Sequence, residues 1–169
     1  MISIVTGTYN RLAMLQRMIA SGRKSAATLT TEFVVVDGGS TDGTQAWCKT
    51  QPDIVLIEQE KLLGACKAYN AGFTAARGDY VVTANDDIEF VGDTIAKAVV
   101  YLDHHPECGQ VAFHNRAADA SVRIYDTLSW NGYLYGQCCV TRKVVGDAAG
   151  WWGPECRTYA GDAWLGLRC

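Results

Sequence analysis

The sequence predicts an α/β fold, in which a mostly parallel sheet is flanked by helices. Short apolar runs rich in valine and isoleucine alternate with helical segments along the first half of the chain, as in successive strand–helix–strand units. The central runs are nearly continuous in apolar residues, which is typical of strands covered on both faces. With 169 residues, 49% of them hydrophobic, the chain fits one compact domain. We therefore expect a single domain over residues 1–169.

The individual elements follow this apolar pattern in order. Strands are predicted at Ile2–Thr6, Glu32–Asp37, Asp53–Glu58 and Asp79–Ala84. Helices are predicted at Arg11–Lys24, Thr44–Lys49 and Gly64–Ala76, followed by one from about Gly92 to His105. Pro106 ends the last of these, and Gln110–Phe113 is compatible with a further strand. After Asn115 the pattern is mixed, and the Gly- and Trp-rich tail from Gly150 to Arg168 favours either a packed lid or a surface for a flat polar ring.

Polar residues follow three of the predicted strands at the point where each strand ends. These segments are Thr6–Asn10, Asp37–Thr44 and Asn85–Asp87. Right-handed crossovers bring the carboxyl ends of parallel strands to one edge of the sheet, where open α/β sheets bind their ligands. The sequence therefore predicts a polar crevice at this edge.

Charge, cysteines and hydropathy exclude several classes of partner and site. The net charge of -3 and the pI near 5.5 argue against nucleic acid or an anionic membrane surface, because phosphate backbones attract concentrated Lys and Arg. Seven cysteines without a CxxC pair favour reduced thiols in the cytoplasm over disulfides or structural zinc. No apolar run approaches the roughly 20 residues of a membrane-spanning helix.

Four motifs in a fixed order carry a resemblance to a known family. VTGTYNR, VVVDGGSTDGT, GDYVVTANDDI and GDAWLGLR together resemble the inverting glycosyltransferases of family two, which have the GT-A fold. The resemblance implies transfer of a sugar from a nucleotide-diphosphate donor, UDP- or dTDP-linked, to a glycan, a lipid-linked or another hydroxyl acceptor. Residues 1–90 would then be the nucleotide-binding half and 91–169 the acceptor-side half.

The resemblance also implies a divalent cation, Mn²⁺ or Mg²⁺, at the acidic motif after the fourth strand. That motif reads Asn85, Asp86 and Asp87, with Asn85 at the usual first acidic position. Asp87 is the expected direct ligand with Asn85 beside it, and Asp86 is expected to assist on the nucleotide side. Hard cations accept carboxylate and phosphate oxygens together, and they neutralise charge on a leaving diphosphate. The alternative is that the two aspartates only form a turn or a helix cap.

The nucleotide contacts are likewise implied by the resemblance. Tyr9 would stack on the base, unless it is a core residue, and Thr6 would contact the base through its hydroxyl or main chain. Asp37 would accept a hydrogen bond from a base N–H without a second polar neighbour, because Gly38 follows it. Lys67 would face the diphosphate or else be a solvated surface lysine.

A second acidic residue, Asp162, matches the family's general base. An inverting displacement needs one carboxylate on the acceptor side to take the hydroxyl proton. The alternative role for Asp162 is a helix N-cap, and Glu155 and Asp147 are the next candidates for the base. Trp151, Trp152 and Trp164 would stack on sugar faces or serve the core.

Two other functions compete with the transferase. A sugar-nucleotide pyrophosphorylase has a related architecture, but GTYNR replaces the basic, glycine-rich loop expected after its first strand. A shortened transferase domain could also bind nucleotides without turnover. Donor turnover separates that binding module from an enzyme.

Overall fold

The computed structural model describes residues 1–113, 129–130, 133–134 and 138–153. Its strands are β1 (Ile2–Thr8), β2 (Thr31–Asp37), β3 (Ile54–Glu58), β4 (Tyr80–Thr83), β5 (Gln110–Ala112), β6 (Ser129–Trp130), β7 (Tyr133–Leu134) and β8 (Cys139–Arg142). Its helices are α1 (Leu12–Ala26), α2 (Thr44–Lys49), α3 (Ala65–Ala75), α4 (Thr94–His104) and α5 (Lys143–Ala149).

In the described part of the chain, six strands form one mixed sheet in the order β3-β2-β1-β4-β8-β5. The first four in this order are parallel, whereas β8 is antiparallel to both of its neighbours. β6 and β7 pair separately as a short antiparallel ribbon. The predicted α/β class with a mostly parallel sheet and flanking helices is confirmed, while the antiparallel β8 was not among the predicted elements.

Both faces of the sheet are covered, which explains the apolar runs of its central strands. On one face, Ile4 of β1 and Phe33 of β2 pack with Leu15 of α1 and Leu102 of α4. On the other face, Val5 of β1 lies in a second cluster that includes Phe73 of α3. Alternate residues of one strand therefore belong to different cores, as the period of two requires.

A hydrogen-bonded network around the buried carboxylate of Glu32 lies at the edge of the sheet opposite the crevice. Glu32 accepts hydrogen bonds from Ser3 Oγ at 2.6 Å and from the Arg77 main-chain nitrogen at 2.7 Å. The Arg77 guanidinium also donates to Glu32 Oε2, with Nε at 2.8 Å. Burial tends to raise the pKa of Glu32, but these donors outweigh it and hold the pKa below its ordinary value. The network joins β1, β2 and the turn before β4 at their starts, which fixes the relative register of the three strands.

Within the described ranges, no helix has both the length and the apolar character needed to cross a bilayer.

Candidate functional site

A crevice of about 640 Å³ opens at the carboxyl edge of the sheet. Its walls come from the ends of β1 and β4, the loop after β3 and the first turns of α3. The side chains that line it and concern the argument below are Tyr9, Arg11, Gln59, Leu62, Tyr69 and Asp87. The predicted convergence of strand ends thus produces a cavity, and the Asn85–Asp87 segment forms part of its lining.

Asp86 and Asp87 lie in a turn after β4, and both carboxylates contact the guanidinium group of Arg11. Thr8 Oγ1 donates to Asp86 Oδ2 at 2.8 Å, and Arg11 Nη1 donates to Asp86 Oδ1 at 3.1 Å and to Asp87 Oδ2 at 3.2 Å. Asp86 is only 5% exposed, whereas the Asp87 side chain is 47% exposed. Burial raises the pKa of Asp86, although the Thr8 hydroxyl and Arg11 act in the opposite direction. Because α4 begins only at Thr94, neither aspartate caps that helix.

Asn85 is oriented by a buried tyrosine. The Tyr69 hydroxyl lies 2.9 Å from the Ala84 carbonyl oxygen and 3.0 Å from Asn85 Oδ1. A hydroxyl has one hydrogen to donate, and the oxygen and nitrogen of an amide are assigned from the hydrogen bonds they make. If Tyr69 donates to Ala84, an amide turned so that Asn85 Nδ2 donates to the hydroxyl satisfies both contacts. The Asn85 carbonyl oxygen is then free to face away from Tyr69.

The loop that carries Tyr9 and Arg11 is held to the loop after β2. The Asn10 main-chain nitrogen donates to Ser40 Oγ at 2.8 Å, and Asn10 Oδ1 accepts from the Thr41 nitrogen at 2.7 Å. Asp42 accepts from the Leu12 nitrogen at 2.9 Å and from the Thr44 hydroxyl at 2.6 Å. One carboxylate thereby ties the start of α1 to the start of α2. The two crevice loops are consequently positioned as a unit.

Tyr9 lies on the crevice wall with 42% of its surface exposed. The alternative of a core tyrosine is therefore wrong, and the ring is open to a ligand. Thr6, in contrast, is fully buried beneath this wall. Its side chain does not line the crevice.

Asp37 is also fully buried. Its Oδ2 accepts hydrogen bonds from the Ser40 nitrogen at 2.8 Å and from Gln45 Nε2 at 2.7 Å, with the Gly39 nitrogen at 3.1 Å. Its Oδ1 has no hydrogen-bond partner in the described structure. The carboxylate thus holds the Gly-rich turn closed with one oxygen and leaves the other oxygen unsatisfied.

Gly38 lines the crevice, whereas Lys67 does not. Lys67 projects from the first turns of α3 as an exposed residue and is not part of the crevice lining. Gly38 lines the crevice, and a Cβ atom there would lie 2.6 Å from Leu62 Cδ2. The leucine side chain therefore covers the place where a side chain at position 38 would begin. Leu62 and Leu63 are 60% and 42% exposed, so these two side chains contribute apolar surface to the crevice wall after β3.

Two of the three tryptophans considered for sugar stacking belong to the core. Trp151 and Trp152 are each 8% exposed. The Trp151 ring stacks on Phe73 with centroids 4.3 Å apart, and Trp152 packs on Tyr69 at 4.5 Å. Asn70 of α3 binds the Trp152 main chain through Nδ2 to the carbonyl oxygen at 2.8 Å. The chain at Trp152 is therefore fixed beside the tyrosine that contacts Asn85.

Asp162, Trp164 and Glu155 lie outside the described residues. Asp147 is held by its own surroundings: Lys143 Nζ lies 2.7 Å from its Oδ2, and Trp151 Nε1 donates to its Oδ1 at 2.8 Å. Burial tends to raise the pKa of Asp147, but these two donors outweigh it and lower the pKa. This weakens Asp147 as a candidate base.

The comparison with known families follows this geometry. The model of glycosyl transferase family 2 matches residues 3–153, which is most of the chain and includes every described site residue. The chain belongs to glycosyl transferase family 2. An uncharacterised glycosyltransferase of Mycobacterium tuberculosis is 32% identical over 103 residues, covering 60% of this chain and 39% of the relative. The chain thus spans well under two thirds of the curated relative that it matches.

Solved structures agree with the GT-A architecture of a family 2 protein. The crystal structure of S. aureus TarS 1-349 superposes with a TM-score of 0.81 at 17% identity, covering 99% of this chain and 55% of that one. The mannosyltransferase PcManGT from Pyrobaculum calidifontis, in complex with GDP-Man and Mn²⁺, has a TM-score of 0.75 at 24% identity, covering 96% of this chain and 49% of that one. TarS has also been solved in complex with UDP-GlcNAc. At these identities the likeness shows the fold.

The crevice of this family 2 protein offers oxygen atoms that could act as ligands of a hard divalent cation. In the described part of the chain, no three His, Cys, Asp or Glu side chains form a metal-binding group. Two carboxylates and an amide nevertheless follow one another at Asn85–Asp87, and Asp86 and Asp87 already share one cationic partner, Arg11. Oxygen ligands with room for ligand phosphates suit Mg²⁺ or Mn²⁺. The residues present therefore fit such an ion.

Sequence reasoning missed Arg11, Leu62 and Gln59 as crevice residues. Arg11 stands in the VTGTYNR motif, where the apolar pattern predicts only the start of a helix, although a positive charge two residues after Tyr9 is a usable signal. Leu62 and Gln59 lie in a loop between elements, where no periodicity reports which way a side chain faces. Their place in the wall depends on how that loop turns over Gly38.

Proposed function

We propose that this chain carries the donor site of a metal-assisted, inverting glycosyltransferase that moves a sugar from a nucleoside-diphosphate donor to a hydroxyl acceptor. The observation that carries the proposal is the pair of aspartates in the turn after β4, which line the same crevice as Tyr9 and are hydrogen-bonded to Arg11. Family membership over residues 3–153 supports the same reaction class.

The donor is proposed to be a UDP- or dTDP-sugar. Complexes of two structural neighbours, TarS with UDP-GlcNAc and PcManGT with GDP-Man and Mn²⁺, support a nucleotide sugar in this crevice. Tyr9 would stack on the base through its exposed ring, with the apolar side chains of Leu62 and Leu63 on the wall after β3. Thr6 would contribute from below through its main chain, since its side chain is buried.

Asp37 and Lys67 remain proposed contacts that need a local change. For Asp37 to accept a base N–H, the turn over it would have to open and expose Oδ1, the oxygen without a partner. An unsatisfied buried oxygen gains free energy from any donor that reaches it. Lys67 is exposed on the same helix that lines the crevice, so its long side chain would have to fold towards the diphosphate.

The cation would be held by Asp87 and the carbonyl oxygen of Asn85, and it would neutralise charge on the leaving diphosphate. Asp86 would position this pair from its buried place against Thr8. Inversion requires the acceptor hydroxyl to attack the anomeric carbon from the side opposite the leaving group. A carboxylate there takes the hydroxyl proton as the bond forms, and Asp162 is the residue we propose for it.

The acceptor is proposed to be a glycan or a lipid-linked sugar, in the synthesis of surface polysaccharide or a related glycan. A cytoplasmic location fits the reduced thiols proposed above. One domain over residues 1–169, with its acceptor side after residue 90, remains our expectation for the organisation of the chain.

Binding of nucleoside diphosphates tests this function directly. We expect UDP or dTDP to raise the melting temperature more in Mn²⁺ or Mg²⁺ than in chelator, because only the ligand-bound folded state gains this free energy. Calorimetry would give the affinities in both conditions, with AMP as a control that lacks the diphosphate. Equal affinity with and without metal would contradict the cation site, and no binding of any nucleoside diphosphate would overturn the proposal. Donor hydrolysis, measured in parallel, separates an enzyme from a binding module.

A further inference from the structure

The guanidinium group of Arg11 places a positive charge beside Asp86 and Asp87 in the crevice. Its Nη1 atom lies 3.1 Å from Asp86 Oδ1 and 3.2 Å from Asp87 Oδ2. One nitrogen therefore bridges two carboxylates, instead of forming the paired, two-nitrogen contact in which a guanidinium binds one carboxylate most strongly. The Arg11 side chain is 50% exposed. A half-exposed arginine held by single contacts is loosely retained.

We propose that Arg11 is the resident counterion of the Asp86–Asp87 pair, which a divalent cation displaces, and that the freed guanidinium then binds the donor diphosphate. This inference rests on the proposed function, since it names a second task for a residue of the same site. It assigns to Arg11 a positioning and binding role that the sequence motif alone does not give.

The need for a counterion follows from the burial of Asp86. Two adjacent carboxylates repel each other, and the buried one has lost most of its water, so a nearby positive charge stabilises both. A guanidinium supplies one positive charge, whereas a divalent ion supplies two. A divalent ion bound to the Asp87 carboxylate would lie close to the Arg11 guanidinium and repel it. The two positive charges therefore compete for the same carboxylate oxygens.

The surrounding contacts allow the side chain to move while its backbone stays in place. The neighbouring residues Asn10 and Leu12 are tied to the loop after β2 through Ser40, Thr41 and Asp42. The Arg11 carbonyl oxygen also accepts from the Leu15 nitrogen at 3.0 Å in the first turn of α1. Displacement would therefore swing a flexible side chain along the crevice wall, where a guanidinium is well shaped to bind phosphate oxygens.

A purely structural ion pair makes the opposite prediction for metal affinity. If Arg11 only holds the two aspartates in position, removing it would disorder them and weaken metal binding. If Arg11 competes with the metal, removing its charge would strengthen binding of the metal alone. The affinity for free Mn²⁺ without nucleotide therefore separates the two roles.

The test compares R11M with the parent chain, using calorimetry or the electron paramagnetic resonance signal of unbound Mn²⁺. We expect R11M to bind Mn²⁺ alone about tenfold more tightly, since a competing positive charge is removed. In saturating Mn²⁺ we expect R11M to bind UDP about tenfold more weakly, since a charge-assisted phosphate contact is lost. R17M is the matched control, because Arg17 is on α1, the helix that Arg11 precedes, and its 3.8 Å pair with Glu89 is exposed. Both affinities should stay unchanged in R17M.

R11Q provides a second neutral variant if R11M folds poorly, and it should show the same two shifts. Equal or weaker Mn²⁺ binding by a folded neutral variant overturns the counterion role. Unchanged UDP affinity in the same variant overturns the diphosphate contact. If the parent chain itself binds no nucleoside diphosphate, the proposed function fails, whereas the Mn²⁺ comparison still decides whether Arg11 competes for the aspartates.

Discussion

At the scale of single residues, the crevice combines one charged cluster with one neutral pair. Asn85 stands where the family resemblance leads one to expect an acid, and the neutral residue Tyr69 lies beside it. The two side chains are in contact, 3.0 Å apart. Burial raises the pKa of the Tyr69 hydroxyl far above its ordinary value, so the residue stays neutral at any working pH. The pair that Tyr69 and Asn85 form is therefore neutral, unlike the charged cluster of Arg11, Asp86 and Asp87.

Tyr69→Phe tests what this pair contributes. The variant keeps the ring against Trp152 but leaves the Ala84 carbonyl and the Asn85 amide without their hydroxyl partner. We expect the free energy of unfolding to fall by about 1 to 3 kcal/mol, the usual loss for an unsatisfied buried group. Urea denaturation measures it, with Tyr101→Phe as a control on a half-exposed ring. Equal losses in the two variants would show that the buried hydroxyl contributes nothing of its own.

Asp37→Ala tests whether this carboxylate reads the nucleobase or only closes its turn. If Oδ1 becomes a base contact, the variant should lose about 1 to 3 kcal/mol of UDP binding and bind inorganic diphosphate as before. If Asp37 only closes its turn through Oδ2, the variant should have a lower melting temperature, and its affinities for UDP and for inorganic diphosphate should be unchanged. Calorimetry with the two ligands distinguishes these results, and unchanged UDP affinity would remove Asp37 from the donor site.

At the scale of elements, the strands and helices of the first half could be predicted because each carries its own apolar pattern. The bounds of α2 agree at Thr44–Lys49, and β2 begins one residue before its predicted start. β8 could not be predicted in this way. Its four residues are too few to show a period, and they are held by pairing with β4 and β5, which is information from distant parts of the chain.

α3 positions the crevice wall through a close approach to the sheet. A Cβ atom at Gly72 would lie 2.3 Å from Val5 Cγ1 and 3.4 Å from Val36 Cγ2. Both valines are fully or almost fully buried in central strands, so neither can move aside cheaply. The glycine therefore sets the distance between α3 and β1, and with it the depth at which Tyr69 meets Asn85.

Gly72→Ala should push α3 away from the sheet. We expect a loss of about 1 to 3 kcal/mol in the free energy of unfolding, the usual cost of overpacking a core, together with weaker binding of nucleoside diphosphate. Denaturation and calorimetry on the same samples measure the two effects. Thr74→Ala, at an exposed position of the same helix, is the control and should leave binding intact. A stable Gly72→Ala variant with parental affinity would show that the helix position does not govern the crevice.

At the scale of the whole molecule, more residues of the proposed donor site than of the proposed acceptor site could be predicted from the sequence. The carboxyl ends of parallel strands meet at one edge whatever their loops contain, so the positions of Tyr9, Asp86 and Asp87 followed from topology and motif. The base, by contrast, was inferred from a motif near residue 162, where no described element supports it. Contacts that form only when distant segments pack, such as Trp152 on Tyr69, leave no local pattern in the sequence.

The proposed division into a donor side and an acceptor side predicts different effects at the two acidic positions, Asp87 and Asp162. Asp162→Asn keeps the volume of the side chain but removes the proton acceptor. Transfer should therefore fall by roughly 10²- to 10⁴-fold, the usual contribution of a general base, while donor affinity stays nearly unchanged. Asp87→Asn should lower both the rate of transfer and the affinity for the donor, because it weakens binding of the cation and therefore of the diphosphate that the cation contacts.

Donor affinity by calorimetry and transfer to a competent acceptor should be measured on each variant, with Asp147→Asn as the matched control. Asp147 is already engaged by Lys143 and Trp151, so its replacement should affect stability and spare transfer. Full transfer by Asp162→Asn would place the base elsewhere, and a loss confined to Asp147→Asn would name it. Either result would leave the proposed donor site intact, because the binding measurements on the Arg11 and Asp87 variants test that site separately. Loss of donor binding in Asp162→Asn would instead mean that the two sides are one site, because a residue that acts only on the acceptor has no contact with the bound donor to lose.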